Sequence, residues 1–452
     1  MQALVNIFQG ILNLGAAVFL PIVIFILGLI VGLKPSKSFS AGLTLGVAFV
    51  GINLLIGFMG DTVGLAATQF VKNIGVQLKA LDMGWAPALG LAWQWKYAFL
   101  MFPVQIAINV VMLALGLTNT LNVDMWNVGN KVFTAFIISA ATNNVIIGFT
   151  VAIIQIVAEL KNADATKNQL YELTGIPGIS MPHPMFLSNI IFYPLSKLLD
   201  KIIPTTSNLD AETLKSKIGI FGENHVMGFI IGFIMGLIAK MGFGEAFMLG
   251  IQAGAALTMF PMVSKLFMTA LTPISDAANT WIKKRFPGKE FVIGLDWPIL
   301  AGNPEIWVAI ILTIPVALGV SLILPGNAVL PFGNLMNVCV CAPAFIAAKG
   351  NLIKMIIISY LMVPILCWSA SDFAPFLTQL ANSTGQQALI PAGQQLAWWG
   401  MDIAELRWSV FKAVQGNIFG IIACIVIVVL GFYYFKMMKE EEKQAAERVK
   451  NE

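Results

Sequence analysis

Two aspartates open closely similar stretches, Asp82-Met83-Gly84-Trp85-Ala86-Pro87 and Gly294-Leu295-Asp296-Trp297-Pro298. A carboxylate beside an indole suits a polyol: the oxygens accept hydroxyl hydrogen bonds and the ring packs on the C–H face. It equally suits a helix start, where Asp is a favoured N-cap. His183 lies in Met181-Pro182-His183-Pro184. Prolines on both sides exclude regular helix there, so the imidazole is either a ligand group or a satisfied structural histidine. Asn143 and Asn144 interrupt an apolar run. Their amides supply the donors and acceptors a neutral polyol needs, or they make a bend or an interhelical bond. Asn303 and Glu305 follow the Asp296 stretch and are candidates of the same kind. Glu223, beside Asn224 and His225 at the entrance of an apolar run, is a further candidate or a carboxylate favoured by the helix dipole. Asp402 and Glu405 follow Trp398-Trp399. The expectation there is an outward hairpin with the Trp pair as an interfacial anchor.

Other chemistry is missing. No G-x-x-x-x-G-K-[ST] occurs, so no ATPase is expected. There is no C-x-x-C and no His cluster of metal-ligand spacing. Cys339, Cys341, Cys367 and Cys424 all lie in apolar stretches and read as buried thiols. No catalytic residue, metal or cofactor is expected, and the small net charge of +4 gives no reason to expect a nucleic-acid partner.

The elements that must position these groups follow from composition. Of 452 residues, 58% are apolar and only 11% charged, with mean hydropathy +0.82. A soluble protein is about 25% charged, and disorder needs low hydrophobicity. Continuous runs such as Ala16 to Leu33 exclude the alternation of a β-barrel. The reading is an all-α polytopic membrane protein with about eleven transmembrane helices. Expected spans are 11–33, 39–59, 97–118, 132–144, 145–160, 225–242, 245–269, 305–324, 328–348, 353–372 and 414–436. Segments 60–95, 161–204, 273–304 and 373–410 are too apolar for solvated loops and too broken for spans. They read as amphipathic helices and re-entrant hairpins. No basic residue precedes Lys34, whereas Lys161, Lys167, Lys197, Lys201 and the tail lysines cluster after the fifth and last spans. The N-terminus is therefore expected outside and the C-terminus in the cytoplasm.

The chain also matches itself. A shift of 208 places Gly28 on Gly236 and Gly42 on Gly250; a shift of 214 places Asp82 on Asp296. With five spans before the second copy, the copies have opposite orientation, as in alternating-access transporters. Residues 1–210 form the first inverted repeat, 211–436 the second plus a final span, and 437–452 a charged cytoplasmic tail.

Five stretches carry a resemblance: Leu121-Asn122-Val123-Asp124-Met125-Trp126-Asn127, Phe221-Gly222-Glu223, Thr272-Pro273-Ile274, Glu290-Phe291-Val292-Ile293-Gly294-Leu295-Asp296 and Pro325-Gly326-Asn327-Ala328-Val329-Leu330-Pro331-Phe332-Gly333. Over nearly its whole length, the chain resembles the galactitol-specific membrane component, enzyme IIC, of the bacterial phosphoenolpyruvate-dependent phosphotransferase system, a relative of the ascorbate component. The resemblance implies a homodimer in the inner membrane, with a dimerisation part and a moving core that carries the substrate. It implies galactitol or a related hexitol as substrate, with contacts at Trp85, Asn143, Asn144, His183 and Asp296. It also implies cytosolic partners, a IIB protein that carries phosphate on a cysteine and a IIA protein, so the chain itself catalyses nothing. Asn224-His225 and Asn303 depart from the family pattern. The alternative is an ion-coupled secondary transporter of a small polar solute, in which Asp82 and Asp296 bind a cation or proton.

Overall fold

The computed structural model describes residues 16–451 apart from 60, 63–68, 70–72, 74–77, 123–126, 204–219, 221–222, 286–290, 332–337 and 391–392. Parts of four of the five resemblance stretches fall outside the described residues. In chain order the helices are α1 (Ala16–Ile30), α2 (Pro35–Met59), α3 (Trp85–Ala92), α4 (Met101–Ala114), α5 (Val128–Thr142), α6 (Val145–Thr174) and α7 (Asn189–Leu199). There follow α8 (Asn224–Ile238), α9 (Phe243–Arg285), α10 (Pro304–Ile323), α11 (Val338–Ala347), α12 (Leu352–Ser383), α13 (Ala404–Val414) and α14 (Ile418–Asn451). The chain is thus helical and apolar, as a membrane protein requires.

Among the described residues four helices are long and apolar enough to cross a membrane, Val145–Thr174, Pro304–Ile323, Leu352–Ser383 and Ile418–Lys443. They differ in surroundings. Most of the apolar window of α10 is buried inside the protein, but only 11% of that of α14. The outer face of α14, including Phe419, Ile425, Val429 and Phe432, is left for lipid.

Several boundaries differ from expectation. Helices α6, α9 and α12 run on to Thr174, Arg285 and Ser383, continuous with the segments expected to hold separate amphipathic helices and re-entrant hairpins. Polar residues after the apolar window lengthen a helix without disturbing its backbone bonds. At 1.5 Å per residue the 43 residues of α9 extend about 65 Å, twice the hydrocarbon core. The expected span 328–348 is not one helix: it opens with a strand at Val329–Leu330, and α11 begins at Val338.

Helices α1 and α2 pack together, as do α8 and α9, and α9 also packs on α2. Glycines set the close approach in both pairs. A Cβ at Gly28 would lie 2.0 Å from Ser38 Oγ, and one at Gly42 2.7 Å from Pro21 O. A Cβ at Gly236 would lie 2.7 Å from Ala246 Cα, and one at Gly250 2.7 Å from Phe229 O. Small residues at such crossings let backbones touch, which is how helices associate in lipid.

Among the described residues, six short strands were not foreseen. They are β1 (Ala80–Asp82), β2 (Thr120–Asn122), β3 (Ile179–Ser180), β4 (Val292–Gly294), β5 (Val329–Leu330) and β6 (Gln395–Ala397). They form two parallel sheets, in the orders β5-β1-β6 and β2-β4-β3. Each middle strand comes from one half of the chain, and both its neighbours come from the other half. Pairing satisfies backbone groups that irregular segments would otherwise leave bare inside a membrane protein. Val292 N–H donates to Asn119 O, and Leu295 N–H to Ser180 O, both at 2.9 Å.

Candidate functional site

The tip of the second sheet brings two of the expected residues into contact. Strand β4 leads through Leu295 to Asp296, which is extended and whose Oδ1 accepts the Trp297 N–H at 2.7 Å. That bond starts the 3-10 helix Trp297–Gly302. Strand β3 leads through Met181-Pro182 to His183, whose Nδ1 accepts the Met185 N–H at 3.3 Å and starts the 3-10 helix Pro184–Ser188. His183 Nε2 then stands 3.4 Å from Asp296 Oδ1. Both residues are buried, at 7% and 6% exposure. Because Nδ1 is an acceptor, the neutral ring carries its proton on Nε2, facing the carboxylate. The two strands can approach only because residue 294 is glycine: a Cβ there would lie 2.7 Å from Pro182 Cγ. Asp296 is therefore both a cap and half of a polar pair. The carboxylate can accept from neighbouring hydroxyls, and the single imidazole N–H can be shared between Asp296 and a hydroxyl.

The first sheet ends in the same way up to its last residue. Asp82 Oδ1 accepts the Gly84 N–H at 3.1 Å and the Trp399 N–H at 3.0 Å. Gly84 has φ +74, and Trp85 begins α3, 45% exposed. Trp398 and Trp399 are each 1% exposed. This overturns the interfacial-anchor reading, since the indoles fill the protein core: Trp398 packs on Phe133, and Trp399 Nε1 donates to Cys367 Sγ.

The other candidates lie elsewhere. Asn143 ends α5 in the left-handed region, with φ +52. Asn144 caps α6, its Oδ1 accepting from Ile146 and Ile147 N–H. Both are exposed, and α5 separates them by about 22 Å from Asn127, which touches the His183 segment. Asn303 Nδ2 donates to Leu300 O at 2.9 Å, and Glu305 lies in the first turn of α10. Both follow the 3-10 helix, about 12 Å beyond Asp296 at 2 Å per residue. Glu223 sits at the N-terminus of α8 with its Oε2 3.4 Å from His225 Nε2, and both side chains are solvent-accessible.

A buried charged network beside the site escaped the sequence reading. Lys131 is 0% exposed and sits 2.5 Å from Glu159 Oε2. Gln155 Nε2 donates to Glu159 Oε1 at 2.8 Å, and Thr134 Oγ1 donates to Gln155 Oε1 at 2.6 Å. Arg407 donates from Nε to Thr134 Oγ1 at 3.0 Å and from Nη1 to Asp402 O at 2.9 Å. Ser188 Oγ donates to Glu405 Oε1 at 2.5 Å. Asp402 and Glu405, expected near an outward surface, are buried. The signal was available: ionisable residues beside apolar runs are functional candidates by default. Expected spans 132–144 and 145–160 had placed Lys131 just outside an end and Glu159 just inside one.

Comparison with known proteins bears on what this geometry serves. A family model described as the PTS system sugar-specific permease component matches residues 10–392. The chain is 32% identical over 424 residues to the PTS system galactitol-specific EIIC component of Escherichia coli strain K12, covering 92% of this chain and 93% of that protein. The same figures hold for the galactitol-specific EIIC component of Escherichia coli O157:H7.

Proposed function

The chain belongs to the sugar-specific permease component family of the phosphotransferase system, and from that premise we propose that it carries galactitol, or a closely related hexitol, across the inner membrane. The observation that carries this reading is the buried His183–Asp296 pair at a sheet tip. It offers a neutral polyol an acceptor and a donor in a segment that is neither span nor solvated loop. Phosphate comes from a cytosolic IIB protein charged through IIA, and this chain forms no covalent bond. The phosphorylated product gains about −1.5 to −2 charges. The Asp296 carboxylate disfavours that charge beside it, so transport runs one way in this reading.

The motion in this reading is alternating access between inverted repeats, 1–210 and the repeat that with a final span makes up 211–436. Three sets of contacts support the repeat. Ser38 and Pro21, which meet Gly28 and Gly42, shift by 208 onto Ala246 and Phe229, which meet Gly236 and Gly250. The middle strands β1 and β4 exchange roles between sheets, as do their neighbours. Asp82 meets Trp399 as Asp296 meets His183. Lys197 and Lys349 both reach Glu441 of the tail, and Lys161, Lys167 and Lys439 line one cavity. That shared basic end supports a cytoplasmic C-terminus and a periplasmic N-terminus. We assign α1, α2, α8 and α9 to the fixed, dimerising part. The exposed stripe Phe39, Leu43, Val47, Val50 and Leu54 on α2 would face a second copy.

Isothermal titration of galactitol and other hexitols into purified protein tests the substrate. Uptake into vesicles containing phosphoenolpyruvate and the soluble partners tests the energy source. Uptake that persists with protonophore is expected. Uptake abolished by protonophore, with no need for phosphoenolpyruvate, would establish the ion-coupled alternative.

A further inference from the structure

Burying charge is costly, and apolar replacements of buried ion networks are often as stable or more so. The network around Lys131 and Arg407 therefore needs a reason other than stability. Its connectivity supplies one, because it closes a ring between the His183 tip of the second sheet and the segment that leads from β6 into α13. From Arg407 on α13 the path runs through Thr134, Gln155 and Glu159 to Lys131. Lys131 Nζ donates to Asn127 O at 3.3 Å, and Asn127 Nδ2 reaches Pro182 O at 3.5 Å, one residue before His183. Beyond His183 the 3-10 helix ends at Ser188, which donates to Glu405, two residues from Arg407. The segments after β3 and after β6 are thus bonded to each other directly and again through α5 and α6.

Resting on the reading of His183 and Asp296 as the polyol site, we propose that Lys131, Thr134, Gln155, Glu159 and Arg407 are positioning residues that lock these two segments into one body. They fix where His183 stands relative to Asp296 without touching the substrate. A neutral polyol bound by a few directed hydrogen bonds requires that geometry to hold while the core moves.

The decisive variant is Thr134→Val, which keeps shape and removes the hydroxyl linking Arg407 to Gln155. Gln155→Met serves as a second break if the first folds poorly, and Arg407→Lys keeps charge while losing the planar fork. Galactitol affinity of Thr134→Val is expected to fall about two- to tenfold, the worth of one hydrogen bond. On an Asp296→Asn background the same change should cost less than about twofold, because its effect passes through the pair. Equal losses on both backgrounds would overturn the proposal, since a network serving only the fold acts independently of Asp296. Amide hydrogen exchange without ligand gives a second reading. Thr134→Val should speed exchange in 179–189 as well as in 404–414. A rise confined to 404–414 would also overturn it. If the parent binds no galactitol at all, the substrate reading fails, and the exchange result alone decides the positioning role.

Discussion

At the tip of the first sheet, Asp82 receives the backbone N–H of Trp399; at the tip of the second, Asp296 faces the imidazole of His183. Asp82 ends its middle strand and Asp296 stands two residues past its own, and both are met by the segment after a neighbouring strand from the other half of the chain. The difference lies in what meets the carboxylate. Oδ1 of Asp82 is engaged by two backbone amides, whereas Asp296 Oδ1 has one amide and a titratable ring. In the reading proposed above, one tip serves as a strut and the other as the site, and what separates them is the group that meets the carboxylate.

The largest expected effect breaks the strut. Asp82→Ala leaves two buried N–H groups without their acceptor, at about 1–3 kcal/mol each, or roughly 2–6 kcal/mol in total. Chemical denaturation in detergent should show that loss, while the folded fraction binds galactitol as the parent does. A stable Asp82→Ala protein that no longer binds would reverse the assignment of the two tips.

The next effect lies in binding. Asp296→Asn keeps an oxygen for the Trp297 amide and removes the charge. Loss of one charge-assisted hydrogen bond costs about 1.5–3 kcal/mol, or roughly 10- to 150-fold in affinity. Stability should hardly move, because Asn caps nearly as well as Asp. Titration of galactitol within about twofold of the parent would reduce Asp296 to a second strut.

A smaller effect is expected at His183→Asn. Asn can cap the 3-10 helix as His183 does but is too short to reach Asp296. One neutral hydrogen bond is worth about 0.5–1.5 kcal/mol, or roughly two- to tenfold in affinity. Comparing this loss with that of Asp296→Asn measures how unequally the pair shares the work. An unchanged affinity would mean that the ring only supports the turn.

How much of this was legible depends on the range of each signal. Membrane class, the helical content and the repeated glycines could be read because they rest on long apolar runs and fixed spacings. Asp82 and Asp296 could be paired because each stands in a Gly/Trp/Pro stretch. That His183 meets Asp296 was not readable: 113 residues separate them, and they meet through strands of two and three residues, too short for any period to register. Trp398 and Trp399 misled because indoles at a membrane surface and indoles in a core look alike in one sequence. Lys131 and Glu159 lay at span ends, where charge is cheap, because apolar windows cut the spans there; the actual helices run past both.

The smallest expected effect concerns the capping asparagines, which extend the comparison to a third related pair. Asn144 opens α6 and accepts from Ile146 and Ile147 N–H; Asn351 opens α12 and accepts from Lys354 N–H at 3.2 Å. A shift of 207 relates them, close to the shifts of the glycines and aspartates. Replacing an N-cap Asn by Ala costs about 1 kcal/mol. Asn144→Ala and Asn351→Ala should therefore lose similar stability, and neither should change galactitol affinity by more than about twofold. The motive is distance: Asn144 lies a full length of α5 from the His183 segment and is exposed. Equal stability losses with unequal binding losses would give a different answer. If Asn144→Ala alone lost affinity, the amide would have to reach the substrate in the other facing of the transporter. The site would then span both ends of α5, and the pair at the second sheet tip would be one half of it.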